Sequence, residues 1–302
     1  MRRLLLYPVS LIYGMVMAIR NSLYDYKLLK STDFEIPVIS IGNITVGGTG
    51  KTPHTEYLIR LLKSQFRVAT LSRGYKRKTK GYLEVHTTSD VTEAGDEPLQ
   101  MKKKFPSVKV SVCENRVTGV QNLLKDEMPP DVILLDDAFQ HRKITPGLNI
   151  LLIDYNKPLK DDALLPAGRL REKPGQLRRA NIIIITKCPN EIAPITRRIM
   201  AKDVSLFPYQ ELFFTTMVYG QLCPVFPEAP KMDLFTDTRQ MGILLVTGIA
   251  APEYIIQHVN KLSGEVETSI FPDHHPYSES DINMIIRDFY RLKNPRKIIV
   301  TT

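Results

Sequence analysis

The chain has 302 residues, 43% of them hydrophobic and 24% charged, which describes a folded globular protein and excludes a disordered one. That length suits two domains, and the three cysteines (Cys113, Cys188, Cys223), with no Cys-x-x-Cys pair, exclude a disulfide framework and favour a reducing compartment. The net charge of +9 fits nucleic acid, an anionic membrane surface or a phosphorylated substrate; without an aromatic-rich basic repeat, the weight falls on the last two.

At the N-terminus, Met1-Arg2-Arg3 precedes an apolar run from Leu4 to Ile19, closed by Arg20. Its 16 residues fall short of the ~20 that cross a bilayer as a helix. No small-x-small cleavage site follows, which argues against a secretory signal peptide. Two readings stay open: a helix lying in a membrane interface, with Tyr7, Tyr13 and the arginines at headgroup level, or a core helix of the first domain.

Pro37 to Ile41 is a β-branched apolar run that predicts a buried strand, and Thr55 to Leu62 carries apolar residues at helical spacing. Between them, a glycine-rich turn ends in Gly50-Lys51-Thr52, which predicts a phosphate-binding loop. Its residues Thr45, Gly47, Gly48, Thr49 and Gly50 are expected to cradle an anion with backbone N–H groups at the positive end of the helix. Lys51 is expected to reach the outer phosphates of a nucleotide, and the Thr52 hydroxyl to ligate Mg²⁺. Thr45 stands where the usual pattern has glycine; Gly47 and Gly48 supply the flexibility.

Arg67 to Ser72 predicts the next strand, and the basic loop Arg73 to Gly81 follows it at the same sheet edge, where ligands gather in open α/β sheets. Tyr82 to His86 is a short strand, Gly95-Asp96-Glu97-Pro98 leads into a helix from about Leu99, Val108 to Val112 is a strand and Arg116 to Leu124 a helix. Asp131 to Asp137 is a strand that ends in two acids. Asn149 to Asp154 and Ala180 to Thr186 are parallel-type strands, apolar on both faces, with the loop Leu164 to Glu172 between them. Glu211 to Tyr219 is extended, and Pro224 to Pro230 reads as a connection. Met241 to Gly248 then restarts a strand-turn-helix unit, followed by a strand (265–271), a helix (280–292) and a strand (297–302). Residues 1–210 are therefore expected to hold the N-terminal helix and a P-loop NTPase-like parallel-sheet core, and residues 211–302 a second, smaller α/β domain.

A carboxylate at the end of the Asp131–Asp137 strand would hold Mg²⁺ beside the phosphates, and the adjacent Asp136 and Asp137 repel each other unless a cation is present. Phosphoryl transfer to an alcohol also needs a base. Asp96 is a candidate, with an ordinary helix N-cap as the competing role. His274 and His275 are the paired histidines; on an extended segment they point to opposite sides and do not both serve one site.

Taken together, Gly42 to Pro53, Ser72-Arg-Gly-Tyr75, Gly95 to Pro98, Asp136 to Arg142, Leu165 to Glu172 and Asp273-His274 resemble, in order and over almost the whole chain, the tetraacyldisaccharide 4'-kinase family of the lipid A pathway in Gram-negative bacteria. The variant Thr45 belongs to that pattern. The resemblance implies ATP and Mg²⁺, a lipid A disaccharide precursor as acceptor, and a site between two α/β domains. It also implies attachment to the cytoplasmic face of the inner membrane, peripheral or monotopic, which fits a membrane-associated N-terminal helix; the composition gives no expectation of nucleic acid, and no obligate protein partner is inferred.

Residue by residue, it makes Asp96 the base that takes the proton from the 4'-hydroxyl and His274 its partner from the second domain. Lys51, Thr52, Asp136 and Asp137 keep the roles above. Arg73, Tyr75, Arg116, Gln140 and His141 match positions near the acceptor sugar or its phosphate. Glu172 receives no role. Two departures stand out: Ala138 replaces a glycine, and the family pattern continues with a Thr-Glu-Lys-Asp-like segment where this sequence stops at Thr302, so a second domain cut short is expected.

Two rivals remain. One is a GTPase-like switch, which needs Asn/Thr-Lys-x-Asp; Ile185-Thr-Lys-Cys-Pro189 lacks the carboxylate. The other is a membrane-associated nucleotide-binding protein without turnover.

Overall fold

The computed structural model describes residues 2–160, 162–220, 222–225 and 238–302, without the side chains of residues 2–4. Two compact units divide it, Met1–Met217 and Val218–Thr302. In the first, α1 (Arg2–Asp25) precedes β1 (Val38–Gly42), α2 (Lys51–Leu62), β2 (Val68–Ser72), β3 (Leu83–Val85), the short α3 (Val91–Ala94), α4 (Asp96–Lys104) and β4 (Lys109–Val112). Then come α5 (Arg116–Leu124), β5 (Val132–Asp136), β6 (Leu148–Asp154), β7 (Ile182–Cys188), α6 (Pro194–Val204) and β8 (Glu211–Thr216).

The eight strands form one sheet in the order β3-β4-β2-β5-β1-β6-β7-β8. Only β3 runs antiparallel to its neighbour. The continuous apolar runs are explained by burial on both faces. Successive residues of β5 point to opposite sides. Leu134 packs with Ile41, Ile59 and Ile150, while Leu135 packs with Leu71, Val120 and Leu123. Each such buried side chain contributes about 1.5–3 kcal/mol. Parallel pairing brings the carboxyl ends of β1, β2, β5 and β6 to one edge, where Gly42, Ser72, Asp136 and Asp154 lie.

In the second unit, β9 (Gly242–Thr247), α7 (Glu253–Val259), β10 (Glu265–Ile270), α8 (Glu279–Arg291) and β11 (Lys297–Thr301) build a parallel three-stranded sheet, β10-β9-β11. The central β9 is buried throughout. Ser278 and Asp281 form a reciprocal capping box that starts α8.

Two sequence expectations change, and one element is added. The division does not fall at 210/211: Glu211–Thr216 pairs with β7 as the last strand of the first sheet, so the first unit runs to Met217. β5 stops at Asp136, because Asp137 turns into the left-handed region at φ +46°. A further helix, α6, was not read from the sequence; its Met200 and Val204 pack, partly buried, against the core. The connection Pro224 to Pro230 lies mostly outside the described residues.

Candidate phosphate-transfer site

The loop after β1 is built as its glycines require. Gly50 caps α2 in the left-handed region at φ +88°, a conformation costly for other residues, and turns the chain so that α2 begins at Lys51. Thr45 needs no such freedom. It sits in an antiparallel bridge with Leu170, flanked by Val46 N–H to the Arg169 carbonyl (2.8 Å) and Arg171 N–H to the Ile44 carbonyl (2.7 Å). Inside the loop, Asn43 Nδ2 donates to Thr49 Oγ1 at 2.8 Å.

Three carboxylates gather around the first turn of α2. Lys51 Nζ lies 3.7 Å from Asp137, and the Thr52 hydroxyl donates to Glu97 at 3.0 Å. Asp136 is buried and accepts the Thr55 hydroxyl at 3.2 Å. Burial, then the nearby Glu97 and Asp137, push its carboxyl up to about 7, with Lys51 opposing. Asp137 is also bound by Arg171 Nη1, at 3.2 Å. A hydroxyl and carboxylates make an all-oxygen donor set, and a carboxylate burdened by two others is relieved by a cation, so these residues fit Mg²⁺. Among the described residues, no group of three or more His, Cys, Asp or Glu side chains could hold a metal ion. An ion that also takes phosphate oxygens needs only one or two carboxylates.

Asp96 is not an N-cap. Gly95, at φ +89°, holds that position, and Asp96 is the first residue of α4, its Oδ1 accepting the Glu97 N–H at 2.9 Å. Asp96 is half-buried.

Beside Asp137 opens a cleft of 460 Å³ whose lining includes Arg20, Arg73, Arg116 and Arg171. Gln140 and His141 also line it, whereas Tyr75 is an exposed residue outside its lining. Arg116 is buried; desolvation lowers it to about 10, and it remains charged at neutral pH. His141 is lowered to about 4, first by burial and then by Arg116, Lys143, Arg20 and Arg73, so it is neutral at pH 7. Four guanidinium groups against Glu114 and Asp137 leave the cleft positive, suited to a phosphorylated ligand.

Helix α1 supplies the remaining wall with Tyr13 and Met17, and it is amphipathic in reverse. Mostly small and polar residues face the protein: Ser10, Gly14 and Asn21 are buried, along with Tyr24 near the end of the helix. Ser10 Oγ accepts the Ala167 N–H at 2.9 Å, and a Cβ on Gly14 would come within 2.6 Å of Leu164. Large apolar residues face outward, with Leu11 71%, Ile12 60%, Met15 57% and Val16 57% exposed. Within this chain those residues are not part of the core. Two residues expected at headgroup level turn inward instead: Tyr13 donates to the Arg171 carbonyl (2.9 Å) and Arg20 to the Gln140 carbonyl (3.0 Å). Among the described residues, no helix is long and apolar enough to cross a membrane.

In the second unit the paired histidines do not share an extended segment. His274 is left-handed at φ +55° and its N–H donates to the Gly248 carbonyl at 3.2 Å. His275 is committed to the fold, 3.0 Å from Asp281 and stacked on Phe271. Glu172, left without a role, is a buried partner of Arg179, whose guanidinium lies over the Phe139 ring at 4.2 Å. Glu97, Arg171, Arg20 and Tyr13 were not singled out from sequence for this site. For the first two a signal existed, since both lie in the motif segments that carry the resemblance.

Residues 2–302 match the family model described as Tetraacyldisaccharide-1-P 4'-kinase. A tetraacyldisaccharide 4'-kinase of Phocaeicola vulgatus is 48% identical over 299 residues, 98% of this chain and 82% of that protein. One of Bacteroides thetaiotaomicron is 50% identical over 305 residues, covering 98% and 80%. The fold is similar to the crystal structure of LpxK from Aquifex aeolicus in complex with ATP, at TM-score 0.77 and 35% identity, over 100% of this chain and 88% of that one. With a family match over the whole described fold and relatives near half identical, the chain belongs to the tetraacyldisaccharide-1-P 4'-kinase family.

Proposed function

We propose that this protein transfers the γ-phosphoryl group of ATP to the 4'-hydroxyl of a tetraacyldisaccharide 1-phosphate, a step of lipid A biosynthesis. The observation that carries the reading is the convergence of Asp136, Asp137 and Glu97 on Lys51 and Thr52, beside an arginine-lined cleft.

In this reading the loop from Thr45 through Gly47, Gly48, Thr49 and Gly50 to Thr52 binds the ATP phosphates, and Lys51 neutralises charge on the transferring group. Thr52, Asp136 and Asp137, with Glu97, would hold Mg²⁺, which supplies charge neutralisation and orients the phosphates when bound. Asp96 accepts the proton of the 4'-hydroxyl as its oxygen attacks the γ-phosphorus and the bond to the β-phosphate oxygen breaks. His274 is its proposed partner, tuning the carboxylate as base. Arg73, Arg116 and Arg171, with Gln140 and neutral His141, orient the acceptor and its phosphate; Tyr75 contacts the sugar.

The outward apolar face of α1 supports a further part of the proposal: the helix lies in the cytoplasmic face of the inner membrane as a peripheral or monotopic anchor. Its inward residues Tyr13, Met17 and Arg20 line the cleft, so an acyl chain resting on α1 lies next to the site that takes its headgroup. No nucleic acid or obligate protein partner is required. Incubating the protein with γ-labelled ATP and the acceptor in mixed micelles tests the reading. Label is expected in the lipid only when both substrates are present; label released as inorganic phosphate without acceptor would support the switch instead.

A further inference from the structure

Three consecutive carbonyls of the phosphate loop each accept from a side chain, and the last of them, Gly50, also accepts the His54 backbone N–H at 3.2 Å as the first bond of α2. The Lys187 ammonium donates to the Gly48 carbonyl, the Thr186 hydroxyl to that of Thr49 at 2.9 Å, and His54 Nδ1 to that of Gly50 at 2.7 Å. Donation to a carbonyl fixes the tautomer: with the proton on Nδ1, His54 Nε2 accepts the Thr215 hydroxyl at 3.1 Å. Lys187 is held in turn by Asp154 at 3.0 Å, and both side chains are nearly inaccessible, 6% and 3% exposed.

The strand that delivers two of these donors is distorted to do so. The register of β7 against β8 shifts between Ile185 and Cys188, and Lys187 is left-handed at φ +57°. A lysine in that region is strained and persists only where its surroundings over-determine it. Here the bulge re-aims the side chain across the sheet edge onto the loop, where two partners anchor it.

The consequence follows from peptide geometry. In a trans peptide the C=O of one residue and the N–H of the next point in opposite directions. The Thr49 and Gly50 carbonyls, drawn toward β7 and α2, therefore aim the N–H groups of Gly50 and Lys51 at the other side of the loop, whereas the Gly48 carbonyl held by Lys187 faces away from a Thr49 N–H that closes onto the Gly47 carbonyl at 3.0 Å, so Lys187 fixes the turn that precedes those two donors. Lys51 and Thr52 reach Asp137, after β5, and Glu97 of α4, not β7.

We propose that Lys187, Thr186 and His54 are positioning residues that set the loop's N–H groups for nucleotide phosphates before the nucleotide binds. Thr186-Lys187 looks like part of a base-recognition motif in sequence, and here both side chains donate to the loop backbone. The proposal rests on ATP as the phosphoryl donor.

The test measures ATP and GTP binding by calorimetry, in Mg²⁺, on the 302-residue chain. Lys187→Met alone would leave the Asp154 charge buried, so the double variant Lys187→Met/Asp154→Asn removes the ion pair and the donor together. It is expected to melt close to wild type while its ATP Kd rises at least about tenfold, as for a lost charged hydrogen bond. ATP and GTP should weaken by the same factor, with KM for the lipid acceptor unchanged. Two further variants need no ion-pair repair. His54→Asn keeps an amide donor at the Nδ1 position and should bind ATP as wild type does, whereas His54→Leu should not. A folded double variant that binds ATP within about twofold of wild type, or a change in the ATP-to-GTP ratio, would overturn the proposal. So would equal binding by His54→Asn and His54→Leu. A wild-type chain that binds no ATP would overturn both the proposal and the kinase reading beneath it.

Discussion

Replacing Asp136 with Asn should make the protein more stable and inactive, and the gain should depend on pH in a defined direction. In the folded protein burial, Glu97 and Asp137 raise this carboxyl from its usual 3.8 to about 7. The folded state thus holds the proton more tightly than the unfolded chain does, so stability is lost as pH rises from about 4 to about 7. Ionised at pH 8, the group costs up to about 4 kcal/mol; at pH 5, where it is mostly protonated in the fold, the cost is less than half of that. Asn keeps the shape and the acceptor for the Thr55 hydroxyl but carries no charge. For a unit of this size about 1 kcal/mol moves Tm by roughly 2–4 °C. Scanning calorimetry without nucleotide should therefore give Asp136→Asn a Tm gain larger at pH 8 than at pH 5 by roughly 5–10 °C. An equal gain at both pH values, or a loss at pH 8, would refute the view that this acid is kept strained for a cation.

Lys51→Ala should lower kcat/KM by at least about a hundredfold while the protein stays folded, because the side chain neutralises transferring charge; near-normal turnover would reject the loop as the ATP site. Leu11→Ser, Ile12→Ser and Val16→Ser together alter only exposed side chains, so folding should persist while vesicle flotation and lipid KM worsen at least about tenfold; unchanged partitioning would reject the anchor. Asp96→Ala should cut kcat severely with ATP binding intact, and His274→Ala should do less and alter the pH profile; strictly additive losses in the double variant would leave Asp96 acting alone.

The strands of both units were legible because runs such as Val132 to Leu135 are apolar on both faces, and the phosphate loop because only glycine suits its turns. What the sequence could not show was contact between distant segments. Glu97 reads as a neighbour of Asp96 until α4 brings it to Thr52, 45 positions away. Lys187 reads as half of a base-recognition motif until a bulge turns it onto Gly48. α1 was ambiguous for a different reason. Its composition suits a core or an interface, and only the choice of buried face, Ser10, Gly14 and Asn21 inward, separates them. The boundary slipped because Glu211–Thr216 reads as extended in sequence, but nothing in it says that its pairing partner is β7.

The central claim, transfer to the sugar hydroxyl with Asp96 as base, is tested most directly by the product itself. Purified protein, Mg²⁺-ATP and a tetraacyldisaccharide 1-phosphate in mixed micelles should yield a bisphosphorylated lipid. Phosphorus and proton NMR should place the new phosphate on the 4'-oxygen, and the Asp96→Ala protein should form it at least about a hundredfold more slowly. ATP consumed with no new phosphate on the lipid, or Asp96→Ala forming the 4'-phosphate at the wild-type rate, would contradict the account.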